Sequence, residues 1–270
     1  MKFALCNEMF EGWAWEHVCK VAKDLGYDGI EIAPYTFSDD VRDISAGKRA
    51  RIAKAAEECG LEVVGTHWLL VKPSGMGLFS PDPEVREFTA EYLIDQVDFC
   101  SDIGGKVLTF GSPSQRNVPS GKPRAEAESE LVGVLRRIGD RAVERGVKFC
   151  LEPLPPSMTN LMETVEEAAR IAEEVDSPGV GFMLDVKSIC AQTDDVAGMV
   201  RKCSGRFCHF HANDSNLRGP GTGNVDFTPI MKALVDTGYE GYVSVEVFDF
   251  KPDPVTIARD SIAYLRSRMP

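Results

Sequence analysis

The sequence predicts a single (β/α)8 barrel over residues 1–270, and three observations favour this fold. Short apolar runs rich in β-forming residues alternate with longer segments whose apolar residues recur at helical spacing, in eight successive units. Strands that alternate with helices pair in parallel through right-handed crossovers. Because α/β barrels of roughly 250 residues fold as one unit, the length of 270 residues fits one closed barrel. Glycine follows five of the helical segments, where a left-handed residue ends a helix, at Gly26, Gly60, Gly104, Gly146 and Gly238.

The first four units occupy the N-terminal half of the chain. Lys2–Asn7 is apolar and strand-like, and Trp13–Asp24 carries apolar residues at helical spacing, so they predict the first strand and the first helix. The same alternation predicts the next three strands at Gly29–Ala33, Leu61–Trp68 and Lys106–Gly111. Their helices are predicted at Lys48–Cys59, Pro83–Ile103 and Arg124–Arg145.

The last four units repeat the pattern. Strands are predicted at Val147–Glu152, Val180–Asp185, Arg206–His211 and Tyr242–Glu246. Helices are predicted at Val165–Val175, Asp194–Lys202, Phe227–Asp236 and Pro254–Arg268. An open doubly wound sheet is the alternative, but no G-x-G-x-x-G follows an early strand, and the glycine-rich segment 219–223 lacks the Lys-Ser/Thr of a phosphate-binding loop.

Charge and cysteine content exclude several classes of protein. With 30 basic and 42 acidic side chains the net charge is −12, which disfavours binding to nucleic acid and to anionic membrane surfaces. The eight cysteines form no C-x-x-C pair, which argues against a zinc knuckle or a redox motif. No stretch approaches the roughly 18 apolar residues of a membrane span, and the segment after Met1 is too short for a signal-peptide core. We therefore expect a soluble, cytoplasmic protein with reduced thiols.

Ionisable residues end four consecutive predicted strands, at the barrel face where active sites lie. They are Glu152, Asp185, His211 and Glu246. Three carboxylates that converge on one spot repel each other, so the pattern predicts a divalent cation between them. Three carboxylates and an imidazole suit Mn²⁺, Mg²⁺ or Co²⁺, with about two positions left for substrate. For any one of these carboxylates taken singly, the alternative is a solvated strand end paired with a nearby Lys or Arg.

These residues resemble the xylose isomerase-like barrels, a family that includes ketose 3-epimerases, hydroxypyruvate isomerases, inosose isomerases and dehydratases, and endonuclease IV-type AP endonucleases. The matching segments are Leu151-Glu152-Pro153-Leu154, Met183-Leu184-Asp185, His209-Phe210-His211-Ala212-Asn213-Asp214 and Ser244-Val245-Glu246. The resemblance implies that Glu152, Asp185, His211 and Glu246 hold the metal and that the two glutamates also move protons. Mn²⁺ is the expected ion, with Co²⁺ and Mg²⁺ as alternatives.

The expected function is therefore a metal-dependent sugar isomerase or epimerase that acts in carbohydrate metabolism. One of Glu152 and Glu246 removes a proton beside the carbonyl of a ketose or keto-polyol, and an enediolate results. The second glutamate returns a proton from the opposite face in an epimerisation, or a proton goes to the adjacent carbon in an isomerisation. The resemblance also implies a homodimer or homotetramer.

The chain departs from the tagatose and psicose 3-epimerase pattern at two positions that grip sugar hydroxyls. It has Met158 and Ser188 where the pattern has Glu and His, and we expect Ser188 to contact substrate in place of that His. Arg218 matches a substrate-binding Arg after a one-residue shift, although a solvated loop cation is an equal alternative. We expect His67, at the end of the third strand, to contact substrate; a buried, hydrogen-bonded core His is the alternative.

The remaining aromatic and histidine residues have less specific expectations. His209 faces the same side of its strand as His211, and we expect it to pack beside the ligands rather than bind the metal. His17 is expected on the helix surface. Trp13, Phe10 and Trp68 follow strand ends, where they either line the sugar pocket or plug the barrel top.

Three other functions compete with the isomerase. A lyase of the inosose or 3-dehydroshikimate dehydratase type would use the same base and metal to remove a hydroxyl group. An AP endonuclease-like nuclease is remote, because that branch needs several extra histidines and the chain has four in all. A non-enzymatic barrel would not need the four converging ligands.

Overall fold

A ring of parallel strands forms the centre of the computed structural model, which describes residues 1–270. The strands are β1 Lys2–Cys6, β2 Gly29–Ile32, β3 Glu62–Thr66, β4 Val107–Phe110, β5 Lys148–Leu151, β6 Val180–Phe182, β7 Leu184–Asp185, β8 Phe210–Ala212 and β9 Tyr242–Val245. The helices are α1 Trp15–Asp24, α2 Ala46–Glu58, α3 Pro83–Asp102, α4 Pro113–Arg116, α5 Arg124–Arg145, α6 Val165–Val175, α7 Val186–Cys190, α8 Val196–Lys202, α9 Phe227–Asp236 and α10 Pro254–Ser267. The prediction of a (β/α)8 barrel is confirmed.

The sixth predicted strand closes the ring by changing partners in its middle. Its first half, β6, pairs with β5, and its second half, β7, pairs with β8. At the break the Met183 N–H donates to the carbonyl of Leu151 on one side, and the Leu184 N–H donates to the carbonyl of His209 on the other. The nine strands are therefore the eight predicted ones with one of them divided.

Helix ends follow the predicted glycines. Gly26, Gly60, Gly104, Gly146 and Gly238 all have positive φ, between 66° and 92°. Asp and Ser side chains cap several helix starts, as when the carboxylate of Asp253 accepts from the Thr256 N–H at 2.9 Å. These local signals are the reason that most predicted boundaries lie within a few residues of the observed ones.

Two short helices and one late strand differ from the prediction. The strand predicted at Arg206–His211 begins at Phe210, and α4 and α7 lie in segments predicted as loops. Helix α7 begins directly after Asp185, whose carboxylate accepts from the Ser188 N–H at 2.7 Å. This cap turns the chain into a helix immediately after β7 and holds Asp185 at the barrel mouth.

The core is one continuous cluster of 69 buried side chains, contributed by the barrel interior and by the inner faces of the surrounding helices. Cys6, Cys100 and Cys150 are buried, and none of the cysteines is in a disulfide. No helix is both long enough and apolar enough to span a bilayer. Buried charged and polar residues that include Glu152, Asp185, His211 and Glu246 lie at the carboxyl ends of the strands.

Candidate metal centre

The four residues predicted as metal ligands converge at the carboxyl-terminal mouth of the barrel. Glu152 follows β5, Asp185 ends β7, His211 lies in β8 and Glu246 follows β9. One potential ligand atom from each lies within 4.8 Å of the others. All four side chains are at most 5% exposed. Three carboxylates in this small, dry volume repel strongly unless a cation or protons compensate them.

Hydrogen bonds around the cluster leave its inward atoms free. Nε2 of His211 lies 3.1 Å from Oε1 of Glu31, and Trp68 donates its indole N–H to Oε1 of Glu246 at 2.9 Å. Nδ1 of His211 and Oε2 of Glu246 are then buried without a hydrogen-bond partner, although they lie 3.2 Å apart. In the tautomer that donates its Nε2–H to Glu31, Nδ1 of His211 and Oε2 of Glu246 are two free acceptors that face one shared space, and a cation there can bind both.

Asp185 is held by the start of α7 and by Asn213, which follows β8. Oδ1 accepts from the Ser188 N–H, and Oδ2 accepts from the side-chain amide of Asn213 at 2.6 Å. Opposite it, Gly111 leaves room for the Glu152 side chain, because a Cβ at this glycine would collide with Oε2 of Glu152. The hard oxygen ligands and one imidazole are the donors that Mn²⁺, Mg²⁺ or Co²⁺ accepts.

The pKa values of the metal-free cluster reflect the repulsion among its three carboxylates. Burial, together with the charges of Glu246 and Asp185, raises the pKa of Glu152 to about 8. Burial also opposes ionisation of Glu246, but the nearby positive charges of His211 and Lys187 outweigh it and hold this pKa at about 2. One carboxylate of the cluster therefore keeps a proton at neutral pH, in the place where a cation would compensate the charge.

A buried layer of Glu and His lies beneath the cluster, and the sequence did not predict it. Oε2 of Glu31 lies 2.7 Å from Nε2 of His209, so Glu31 contacts both His209 and His211. Oε2 of Glu8 lies 2.9 Å from Nε2 of His67. All of these side chains are fully or almost fully buried. The register of β2 against β3 shifts between Ile30 and Glu31, and such bulges redirect side chains. The sequence signal that could have identified this layer is Glu31 itself, a carboxylate within the otherwise apolar run Gly29–Ile32.

A cavity of about 400 Å³ opens above the cluster. Glu152, Glu246 and Lys187 are its charged lining residues. Its other walls are formed by Trp68, Val71, Gly111, Ser112, Pro113, Ser114, Gln115, Leu154, Met158 and Phe248. The volume lies in the range of small-molecule sites, and the charged end of the cavity coincides with the four converging ligands.

Comparison with known proteins agrees with this geometry. The model of a family described as a xylose isomerase-like TIM barrel matches residues 19–268. The chain belongs to this family. A probable ketose 3-epimerase from Synechocystis sp. is 25% identical over 93% of the chain and 90% of its own length. D-psicose 3-epimerase from Ruminiclostridium cellulolyticum is 28% identical over 86% of the chain and 77% of its own length.

Solved structures show the same barrel. The structure of D-allulose 3-epimerase from Methylomonas sp. in complex with D-allulose superposes with a TM-score of 0.83 at 23% identity. The alignment covers 99% of this chain and 97% of that one. At this level of identity the similarity establishes the xylose isomerase-like fold alone.

The other residues predicted to bind substrate in this xylose isomerase-like barrel do not line the cavity. His67 is fully buried against Glu8, and Ser188 is buried and donates its backbone N–H to the carboxylate of Asp185. Arg218 donates to the carbonyl of Lys251 at 2.6 Å and lies 3.5 Å from Asp249. Trp13 is 40% exposed and stacks on His17. Their contact with substrate stays a prediction.

Two further expectations of the sequence are met in the structure. His209 turns its Nε2 to Glu31, in a position to support His211 rather than to join the four ligands. His17 lies exposed on α1. Of the aromatic residues weighed for the pocket, Trp68 forms part of the cavity wall, whereas Phe10 is buried beside Trp13.

The sequence did not indicate a role for two charged residues of this xylose isomerase-like site, Arg116 and Lys187. Arg116 is fully buried and donates to the carbonyls of Phe110, Glu152 and Met162, at 3.2, 2.8 and 3.4 Å. It therefore anchors the backbone at the ends of β4 and β5, beside the Glu152 ligand. Lys187 lies in the cavity wall two residues after Asp185. No spacing rule distinguishes either residue from an ordinary surface cation in a loop.

Proposed function

We propose that the protein is a divalent-metal-dependent sugar epimerase or isomerase that moves a proton on a ketose or keto-polyol. Glu152, Asp185, His211 and Glu246 hold the metal, and Glu152 and Glu246 are the acid and base. The observation that carries the proposal is the convergence of these four side chains at the charged end of the cavity. The relatives named as ketose 3-epimerases support the substrate class.

The arrangement of the ligands supports Mn²⁺, with Co²⁺ and Mg²⁺ as alternatives. When bound, such a cation polarises a ketose carbonyl and makes the neighbouring C–H more acidic. The carboxylate of Glu31 holds the Nε2 side of His211 and so leaves Nδ1 for the metal. Asn213 and the Ser188 N–H hold Asp185 in the same way.

The positions of the two glutamates support a role in proton transfer at the substrate. Both line the cavity, and they approach it from β5 and β9, so they flank the same space. Trp68 fixes one oxygen of Glu246, while the carboxylate of Glu152 accepts no hydrogen bond from the protein that would compete with a proton. One carboxylate takes the proton beside the carbonyl, and the other gives a proton back to the opposite face of the resulting enediolate.

The test is a panel of ketoses, keto-inositols and oxidised sugars incubated with the Mn²⁺-loaded protein in D₂O. We expect deuterium to enter one member of the panel at the carbon beside the carbonyl, as measured by mass spectrometry, with a new epimer or isomer as the product. Loss of the mass of one water would instead identify a lyase. Absence of exchange with every member would refute the proposal.

A further inference from the structure

Lys187 carries an ammonium group that has no partner in the protein. The residue is only 7% exposed, yet it lines the cavity. Its Nζ lies 3.8 Å from the centroid of the Phe248 ring and makes no hydrogen bond or ion pair. The backbone at this position is held by the Asn213 side chain, which accepts from the Lys187 N–H at 2.8 Å.

The ammonium opens to the cavity, and a mostly buried charge that hydrogen-bonds no protein group is costly, so its position needs a physical reason. The face of Phe248 offers a cation–π contact, but this satisfies none of the three N–H donors. The charges of Asp185, Glu246 and Glu152 attract the ammonium without hydrogen-bonding it. The three donors remain available to a molecule that enters the cavity.

The net charge of the metal-loaded site indicates whether the molecule in the cavity is charged or neutral. Three carboxylates carry three negative charges, and a divalent cation together with Lys187 balances them. An uncharged keto sugar enters such a site without an uncompensated charge, and its hydroxyl and carbonyl oxygens are the acceptors that the ammonium lacks.

We propose that Lys187 is a substrate-binding residue that donates a hydrogen bond from its ammonium to an oxygen of an uncharged keto sugar. The inference rests on the proposed function, because it places that sugar in the cavity above Glu152 and Glu246. The ring of Phe248 packs against the ammonium. The side-chain amide of Asn213 accepts from the Lys187 N–H and donates to the carboxylate of Asp185, so it holds both residues. The junction of β7 and α7 therefore supplies both Asp185 and the sugar-binding donor Lys187, and Asn213 holds the two residues in place.

A different role would be balance of charge alone. In that case the ammonium only offsets the repulsion among the three carboxylates, and substrate never contacts it. Removing the charge would then change the affinity for Mn²⁺ and leave the KM of the sugar unchanged. The two roles therefore differ in the KM of the sugar, which rises only if the ammonium contacts substrate.

The experiment compares Lys187→Met and Lys187→Gln with the wild type, using the panel member that exchanges deuterium. Lys187→Met removes the donor, and we expect KM to rise about 10- to 100-fold, the loss of one charge-assisted hydrogen bond. Lys187→Gln keeps a neutral donor, and we expect a smaller rise. Mn²⁺ binding, followed by electron paramagnetic resonance, should not weaken in either variant.

Lys72→Met is the matched control, because Lys72 loses the same charge but lies outside the cavity wall, 3.5 Å from Asp39. We expect its KM to equal that of the wild type. Unchanged KM in both folded Lys187 variants overturns the role of Lys187 and leaves the proposed function standing. If no panel member exchanges deuterium with the wild type, the proposed function fails, and the inference fails with it.

Discussion

Trp68 donates its indole N–H to Oε1 of Glu246 across 2.9 Å, and the other carboxylate oxygen, Oε2, is left free. Trp68 has a φ of 55°, in the left-handed region that non-glycine residues rarely adopt. Its ring lies between Tyr35 and Phe248, with centroids 5.9 and 6.0 Å away. The unusual backbone and the stacking together hold the indole so that one specific oxygen of Glu246 faces the cluster.

Trp68→Phe tests this positioning, because it keeps an aromatic ring in the stack and removes the N–H. We expect kcat for proton exchange to fall about tenfold, as one charge-assisted hydrogen bond to the base is lost. Trp15→Phe is the control: it also loses an indole hydrogen bond, to the Ile52 carbonyl at 3.0 Å, but on α1. Equal kcat values for the two variants would contradict the positioning role.

Glu246→Gln tests the acid–base role itself. The amide has the shape of the carboxylate but cannot take a proton, so we expect deuterium exchange at the substrate to be abolished. Circular dichroism should show an intact fold. Glu62→Gln, an exposed change at the start of β3, should retain full exchange. A fully active Glu246→Gln variant would exclude this glutamate as a proton carrier.

The sequence allowed the barrel and its four strand-end residues to be predicted because both depend on local patterns. Glycines mark where helices end, and strand ends in a parallel barrel share one face. Glu31 and Lys187 were missed for a different reason. The Glu31 contacts depend on the register shift between β2 and β3, and the Lys187 environment depends on Phe248, which is 61 residues away in the sequence. Such pairings arise only when distant strands close the ring.

Glu31→Gln tests the support of His211. The Gln side chain cannot accept hydrogen bonds from both His209 and His211 as the carboxylate does, so the imidazole is held less well. We expect the Mn²⁺ dissociation constant to rise about 10- to 100-fold in an electron paramagnetic resonance titration. Glu8→Gln changes the same layer one step farther away, at His67, and should have a much smaller effect. Equal losses in the two variants would argue for a general effect of charge.

Arg116→Met tests the anchor beneath Glu152. It leaves three buried carbonyls without their donor, so we expect the free energy of unfolding to fall by about 3 kcal/mol in urea. Arg116→Lys should recover little of this, because one ammonium cannot reproduce the planar fork of donors. Arg137→Met removes an exposed pair with Glu87 and should cost below about 1 kcal/mol. If Arg116→Met cost no more than Arg137→Met, the result would show that the three carbonyls find other donors.

Stability of the metal-free protein should fall as pH rises from about 5 to 8. Burial, with Glu246 and Asp185, raises the folded-state pKa of Glu152 above its ordinary value of 4.5 to about 8, so within this window the folded state keeps a proton that the unfolded chain releases. His211 acts in the same direction: burial lowers its pKa, but Glu31 and Glu246 raise it well above the ordinary value. The depressed pKa of Glu246 contributes stability that is lost only at lower pH.

Mn²⁺ binds the deprotonated ligands, so its stabilising effect should increase over the same window. The measurement is Tm at both ends of the window, with a chelator and with excess Mn²⁺. Glu152→Gln cannot titrate and should show a flatter pH dependence without metal. A Tm of the metal-free wild type that rises with pH would mean that Glu152 is already ionised in the folded protein, and that the cluster tolerates its three negative charges without a cation.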